Sequence, residues 1–519
     1  MPRPSALPSG CRIRQFHANG ATVAQHGRAC NAPARKDAEM IIARSLLLTT
    51  ALALPLPAAA DLTPEGLWQD WQDRAADAGR DLTAEVEQGA ALTLRGLTLS
   101  RPVGDGLLTA RFERMDLAQD GPGVRLTLPG GQQVTLTATT ETEGTNVATF
   151  RLGDGALTAM ATGDAAAPDY ALSAPALSAT LVSLVQDGTE VDADMRADLT
   201  GLAGTLSGLS GGSAPLVADL TADALATEVS VRDPATGSEV RNTASQQDVA
   251  LRADLSGAGG GWSLVGRLES RDGSSVSLQQ GPDGMLETDS RQDTSRIALT
   301  LTDLRADYSA ALTGFATTVT SSMMPMGPVS LAMAAADLTL SVPTAPTAEL
   351  QTARIALDLT DATADEAVWQ MFDPNGAFPR DPAQLRLVAE ADIDMVAPNP
   401  ALAGPDAEPA AAPRALRIDT FSLDLAGASL SGEGAFRFPE GPGGVPDLAQ
   451  PVGEASLRAS GLSGLMQQAM TGGIMSAEQM MGAQMMLGMF AVQGEGDSFT
   501  SRIEAREGGA LFVNGNQLR

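Results

Sequence analysis

From about residue 83 to 361 the dominant signal is an apolar period of two, and that period commits most of the chain to β-strands. The clearest run is Glu190 to Thr200. There Val191, Ala193, Met195, Ala197 and Leu199 alternate with Glu190, Asp192, Asp194, Arg196 and Asp198. One face of such a strand is apolar and the other charged. Similar runs cover Leu92–Leu99, Val124–Leu128, Val134–Thr140, Leu264–Leu278, Ile297–Leu304, Val329–Val342 and Ala353–Leu359. Clusters of Gly, Pro, Asp and Asn separate them, as between the strands of an antiparallel sheet. Thr and Ser fill many outward positions, which suits a half-solvated sheet. A phrase of Asp-Leu followed by Thr, Ser or Ala recurs at Asp198, Asp219, Asp254, Asp337, Asp358 and Asp424. Its spacing is irregular, so it reads as a strand habit rather than a solenoid repeat.

Helices interrupt this pattern in three places. Residues 64–79 predict the first: Thr63 can cap it, Pro64 suits its first position, and Leu67, Trp68, Trp71 and Ala75 fall at helical spacing before Gly79. Residues 363–372 predict a second, with Ala367, Val368, Met371 and Phe372 at core spacing and an Asp373-Pro374-Asn375-Gly376 turn after it. Strands over 385–396 and 414–438 flank residues 397–413, a Pro- and Ala-rich stretch expected to be an exposed loop or linker. Residues 462–491 predict a helical hairpin broken at Gly472-Gly473 and reopened by a capping box of Ser476 with Gln479. Its second helix is apolar nearly all round, which predicts burial. Asn514-Gly515 predicts a type I′ hairpin turn near the end of the chain.

Residues 40–60 have the layout of a cleavable secretory signal. Arg44 supplies the positive charge, Ser45 to Leu56 the apolar run, and Ala58-Ala59-Ala60 the small-residue cleavage signature. The run is shorter than the ~20 apolar residues that cross a bilayer. No later stretch reaches that length without a charge, so no transmembrane segment is expected in the mature chain. The expectation is a periplasmic protein, cleaved after Ala60, with residues 1–39 a mis-assigned extension upstream of a true start at Met40.

Composition then narrows the chemistry. Residues 1–60 hold both cysteines, both histidines and the only lysine, with seven Arg/Lys and two Asp/Glu. The remainder carries 27 basic and 61 acidic residues, a net charge of about −34. That balance opposes nucleic acid, which is bound through cationic contacts to phosphate. It also opposes bare anionic lipid surfaces. Without His, Cys or Lys the common zinc sites, Schiff bases and phosphate-cradling P-loops are excluded. Gly208-Leu209-Ser210-Gly211-Gly212 matches the G-x-S-x-G elbow, but no histidine or lysine is left to activate the serine, so it reads as a turn. No cofactor is expected.

Two residue groups stand out. Glu390, Asp392 and Asp394 alternate with Ala391 and Ile393, so all three carboxylates share one strand face at about 7 Å spacing. A hard cation or a pair of acid and base roles fits them, and so does a solvated sheet face. Met466, Met470, Met480, Met481, Met485, Met486 and Met489, with Phe490, form the second group. Thioethers bind Cu(I), yet Met also fills irregular cores and lines adaptable apolar grooves.

The chain resembles the Gram-negative family called domain of unknown function 2125. The resemblance rests on Leu62-Thr-Pro-Glu-Gly-Leu-Trp-Gln-Asp-Trp71 and on Trp369-Gln-Met-Phe-Asp-Pro-Asn-Gly-Ala-Phe-Pro-Arg-Asp-Pro382. It rests also on Glu478-Gln-Met-Met-Gly-Ala-Gln-Met-Met-Leu-Gly-Met-Phe490 and Phe512-Val-Asn-Gly-Asn-Gln-Leu-Arg519. It implies an exported, β-rich envelope protein and brings no catalytic residues. The layout is also similar, more distantly, to AsmA-like envelope proteins, whose long sheets are associated with lipid handling.

The expected fold is mainly β: a long, twisted antiparallel sheet with an N-terminal helix, a short mid-chain helix and a C-terminal Met-rich hairpin. Residues 61–396 would form the β-rich body, and 414–519 would pack on it. The apolar strand faces are expected to pack on each other or on the Met-rich helices. The expected function is non-enzymatic binding of an envelope partner or an apolar ligand such as lipid. The alternative is a carboxylate-based hydrolase of an envelope polymer.

Overall fold

A computed structural model describes residues 62–103, 106–140, 144–208, 215–257, 262–282, 284–324, 327–395, 411–441 and 446–518. The signal and upstream extension read at 1–60, and residues 397–410 of the Pro- and Ala-rich stretch, lie outside them. So do Leu209 to Gly212 of the G-x-S-x-G phrase.

The chain opens with α1 (Pro64–Asp77), capped as its sequence predicts: the Thr63 hydroxyl accepts from the Gly66 amide at 3.1 Å. A first group of strands follows: β1 (Asp81–Gln88), β2 (Leu92–Val103), β3 (Gly106–Asp120), β4 (Gly123–Leu128), β5 (Gln133–Thr140), β6 (Gly144–Leu152), β7 (Leu157–Asp164), β8 (Ala167–Gln186) and β9 (Thr189–Glu190). All neighbours pair antiparallel. β3 and β8 are long enough to span two tiers. One half of β3 reaches β8 through β5 and β6, and the other half through β4 and β7.

From β8 the sheet continues as a simple meander. Its strands are β10 (Ala193–Ser207), β11 (Leu216–Arg232), β12 (Glu239–Ser256), β13 (Ser263–Gly281), β14 (Gly284–Thr302), β15 (Arg305–Ser321), β16 (Val329–Pro343) and β17 (Gln351–Ala364). After α2 (Glu366–Phe372) come β18 (Ala383–Met395), β19 (Ala411–Leu425), β20 (Ala428–Arg437) and β21 (Val452–Ser460). The hairpin α3 (Leu462–Thr471) and α4 (Ala477–Phe490) precedes β22 (Val492–Gln493), β23 (Ser498–Arg506), β24 (Ala510–Val513) and β25 (Asn516–Gln517). β18 pairs with β19, so one sheet runs through both regions that the sequence separates at 397–413. Ala411 to Pro413, read as part of that loop, open β19.

The core sits at the N-terminal end. Leu67 and Trp68 of α1 pack with Leu94, Leu117, Val124 and Tyr170 of the sheet. Trp71 donates its indole N–H to the Tyr170 hydroxyl at 2.9 Å, and burial pushes the Tyr170 hydroxyl up against that hydrogen bond.

The long strands carry a shared irregularity. Gly201, Asp248, Asp272, Gly314 and Asp361 all have left-handed backbones, with φ of 63°, 47°, 46°, 61° and 52°. The ladder registers set Gly201 level with Asp223, and Asp223 level with Asp248. Asp272 lies level with Asp293, and Asp293 with Gly314. The line therefore runs across the sheet from β10 to β17. In β10 the apolar positions change phase there, from Ala193, Met195, Ala197 and Leu199 to Leu202 and Leu206. An extra left-handed residue re-aims the pleat by one position, as a bulge does.

Several expectations are altered. The Glu190–Thr200 run is broken at Val191 and Asp192, which link β9 to β10. The Ile297–Leu304 run ends at Thr302, and Leu304 sits in the turn. α2 starts at Glu366 rather than 363, because residues through Ala364 stay paired in β17 and Asp365 caps the helix. Met371 and Phe372 lie exposed rather than in a core. The type I′ turn holds: Asn514 and Gly515 have φ of 49° and 82° between β24 and β25.

Candidate functional site

The registers assemble the strand alternation into one apolar face. Leu251 of β12 stands opposite Leu268 of β13, which meets Ile297 of β14, then Ala310 of β15 and Leu338 of β16. The row passes on to Leu357, Leu387 and Phe421 of β17, β18 and β19. A parallel row joins Leu299, Tyr308, Leu340 and Ile355. In the recurrent Asp-Leu phrase, each Leu joins the apolar face and each Asp the opposite one.

Nothing described covers this face in its central part. Beneath α1, Leu94 and Leu117 are 0 % exposed. From β13 to β17 the one apolar side chain buried among the described residues is Pro343 at the end of β16, and Leu251 on β12 is 39 % exposed. Over β13 to β17 the expectation that the apolar faces pack on each other or on the Met-rich helices is therefore not met, whereas Ala459 and Phe499, which continue the apolar face at the C-terminal end of the sheet, are buried. Of the later helices, α2 contacts β16 and α3 contacts β20.

The opposite face is a lattice of arginines and carboxylates. Arg296 pairs with Glu269 at 3.0 Å, Arg386 with Asp358 at 3.8 Å and Arg502 with Glu454 at 2.5 Å. Glu390, Asp392 and Asp394 belong here. Glu390 is held between Arg354 and Arg417. Asp392 accepts from the Thr352 hydroxyl at 3.0 Å, and Asp394 pairs with Arg414 at 3.0 Å. Glu390 and Asp392 border an open depression of about 430 Å³ together with Arg417 and Arg437. The three carboxylates stand side by side on one strand, Glu390 and Asp394 paired with arginines and Asp392 hydrogen-bonded to a threonine, rather than opposed across a cleft. Among the described residues no group of three or more His, Cys, Asp or Glu is placed to hold a metal ion.

The Met-rich hairpin departs from its expected burial. Its local structure matches the sequence: Gly472 and Gly473 end α3, and Ser476 and Gln479 form the reciprocal capping box of α4. Met466, Met470 and Met480 are half-buried. Met481, Met485, Met486, Met489 and Phe490 are exposed, Met481 and Met485 by 66 % and 69 %. Periodicity measures how apolar a helix is, and leaves open what surrounds it.

One cluster escapes pattern reading altogether. Asp373 is 0 % exposed. Its carboxylate accepts the amides of Ala377 and Phe378, each at 2.8 Å, and the Arg380 guanidinium at 2.6 Å. Arg380 also lies over the Trp369 ring, 4.4 Å from its centroid. Burial alone would raise the Asp373 pKa; these hydrogen bonds and the Arg380 charge outweigh it and hold the carboxyl below its usual range. Asn375 then donates to the Gly472 carbonyl at 2.5 Å, tying this loop to the end of α3. The sequence shows only a turn here, although its Asp-Pro-Asn-Gly composition marks the place. A second acidic anchor, Asp497, accepts the amides of Ser463 and Gly464 at the start of α3.

Among the described residues no helix is long and apolar enough to cross a membrane. The chain matches no family model, no curated protein and no solved structure.

Proposed function

We propose that the chain is an exported, non-enzymatic protein of the cell envelope that binds lipid acyl chains on the apolar face of its sheet. The observation that carries this reading is the run of aliphatic side chains from β12 to β19, largely uncovered by any described element. Contiguous apolar surface of that extent marks a binding site. Each methylene taken from water contributes about 0.8 kcal/mol. Ten methylenes laid along the face would give roughly 8 kcal/mol before the entropy cost of binding.

Sheet geometry favours flexible chains over a rigid partner. Neighbouring strands in a sheet rotate by about 20–25°. A flat protein surface follows only a few strands before it diverges, whereas an acyl chain bends with the sheet. Periplasmic location, cleavage after Ala60 and the family resemblance in Trp369–Pro382 and Glu478–Phe490 belong to the same proposal. The hydrolase reading gains no support from Glu390, Asp392 and Asp394, which lie on one strand face, Glu390 and Asp394 in ion pairs with arginines and Asp392 bonded to the Thr352 hydroxyl.

Mass spectrometry of an organic extract of protein purified without detergent tests the reading. Diacyl lipid at one or more molecules per chain is expected. A chain free of lipid that also takes up no fluorescent fatty acid would refute it.

A further inference from the structure

The second exposed apolar surface lies on α4. Met481, Met485, Met486, Met489 and Phe490 are all exposed. At about 100° per residue they sweep about half the helix circumference. The other side, carrying Met480, Ala483 and Leu487, is half-buried. The helix is fixed at both ends rather than frayed. The capping box closes its start, and the Phe490 carbonyl accepts from Ser501 Oγ at 2.6 Å and Asn514 Nδ2 at 3.0 Å. Met371 and Phe372 of α2 are exposed too, and the Asn375–Gly472 hydrogen bond ties the loop after them to α3.

We infer that α4 docks the protein on a neutral bilayer surface. Charge selects this occupant. From Gly461 to Ala491 the only charged residue is Glu478, in a chain of net charge −29. An anionic lipid surface would repel such a chain, and a basic partner would find almost nothing to pair with on the hairpin. A specific protein interface draws its strength from Trp, Tyr and Arg anchors, and none occurs between Gly461 and Ala491. The exposed arc offers flexible thioether side chains that conform to a fluid surface. Fourteen residues of helix extend about 21 Å, short of the ~30 Å hydrocarbon core, so α4 lies in the interface without crossing. Docking there would place a lipid-bearing sheet beside its source of lipid. That purpose rests on the proposed function; the docking itself does not.

Flotation of the chain from Asp61 onward with pure phosphatidylcholine vesicles tests the inference. The wild type is expected to float with the vesicles, at low and high salt alike. A Met481→Gln, Met485→Gln, Met489→Gln triple variant keeps good helix formers at exposed sites. It is expected to lose about tenfold in bound fraction while its melting temperature and fatty-acid uptake stay unchanged. Wild-type protein that remains at the bottom of the gradient would overturn the inference. So would a variant that floats equally well, or a wild-type dimer that the variant dissolves and that never floats. Loss of flotation with intact fatty-acid uptake would leave the sheet reading standing; the reverse would leave only the docking.

Discussion

Gly201 and Asp223 stand level across the β10–β11 ladder, and a Cβ on Gly201 would collide with the Asp223 carboxylate. Gly314 and Asp293 repeat the relationship on β15 and β14. Both glycines are left-handed, which costs an L-residue roughly 1–2 kcal/mol. Asp248, Asp272 and Asp361 adopt the same backbone on the same line, consistent with the tolerance of Asp and Asn for it. Gly201→Val is therefore expected to lower stability by about 2 kcal/mol, and Gly201→Asn by less than half of that. Urea titration of the two variants checks the order. An equal loss in both would show that backbone conformation at this line is not the constraint.

Asp373 gives a pH dependence. Its carboxyl is held below the usual range in the folded chain, so ionisation favours folding. The contribution is complete above the unfolded value of about 3.9 and is lost as pH falls through the folded value. Asp373→Asn removes the charge that Arg380 faces and puts an amide donor among the donors of Ala377, Phe378 and Arg380. The variant should be less stable than wild type at pH 7, and the difference should shrink as pH falls toward 3. Urea midpoints across that range measure it. A difference that is constant with pH would assign the effect to shape alone.

How much of this was legible follows from what periodicity encodes. Ala193 to Leu199 names two faces of a strand, and the registers realise them. Thr63, Ser476, Gln479 and Asn514-Gly515 act through neighbours one to four residues away, so their caps and turns can be read locally. The left-handed line cannot, because Gly201, Asp248 and Asp361 are aligned only by pairings between strands. The same limit applies to Met485. Its apolar neighbours predict a buried helix, yet burial depends on elements far away in sequence, and none described covers it. Asp373 is similar: its partners lie four to seven residues on, but its complete exclusion from solvent depends on how the whole loop folds.

The contrast between the covered and uncovered parts of the sheet predicts unequal mutational costs. Leu94 is wholly buried under α1, so Leu94→Ala should cost about 2–5 kcal/mol. Leu251 projects from the uncovered face, and Leu251→Ala should cost below about 1 kcal/mol in lipid-free protein. Chemical denaturation of both variants tests this. A large cost at Leu251 would mean that a protein layer packs over that face.

The most direct test labels adjacent residues on opposite faces of β16. The chain from Asp61 onward contains no cysteine, so Leu340→Cys and Thr339→Cys each provide a single site for a polarity-sensitive fluorophore. Leu340 belongs to the apolar face and Thr339 to the charged one. Adding phosphatidylcholine to lipid-free protein should shift the emission at position 340 to the blue and leave position 339 unchanged. Equal response at both positions, or a label at 340 already blue before lipid is added, would contradict the account.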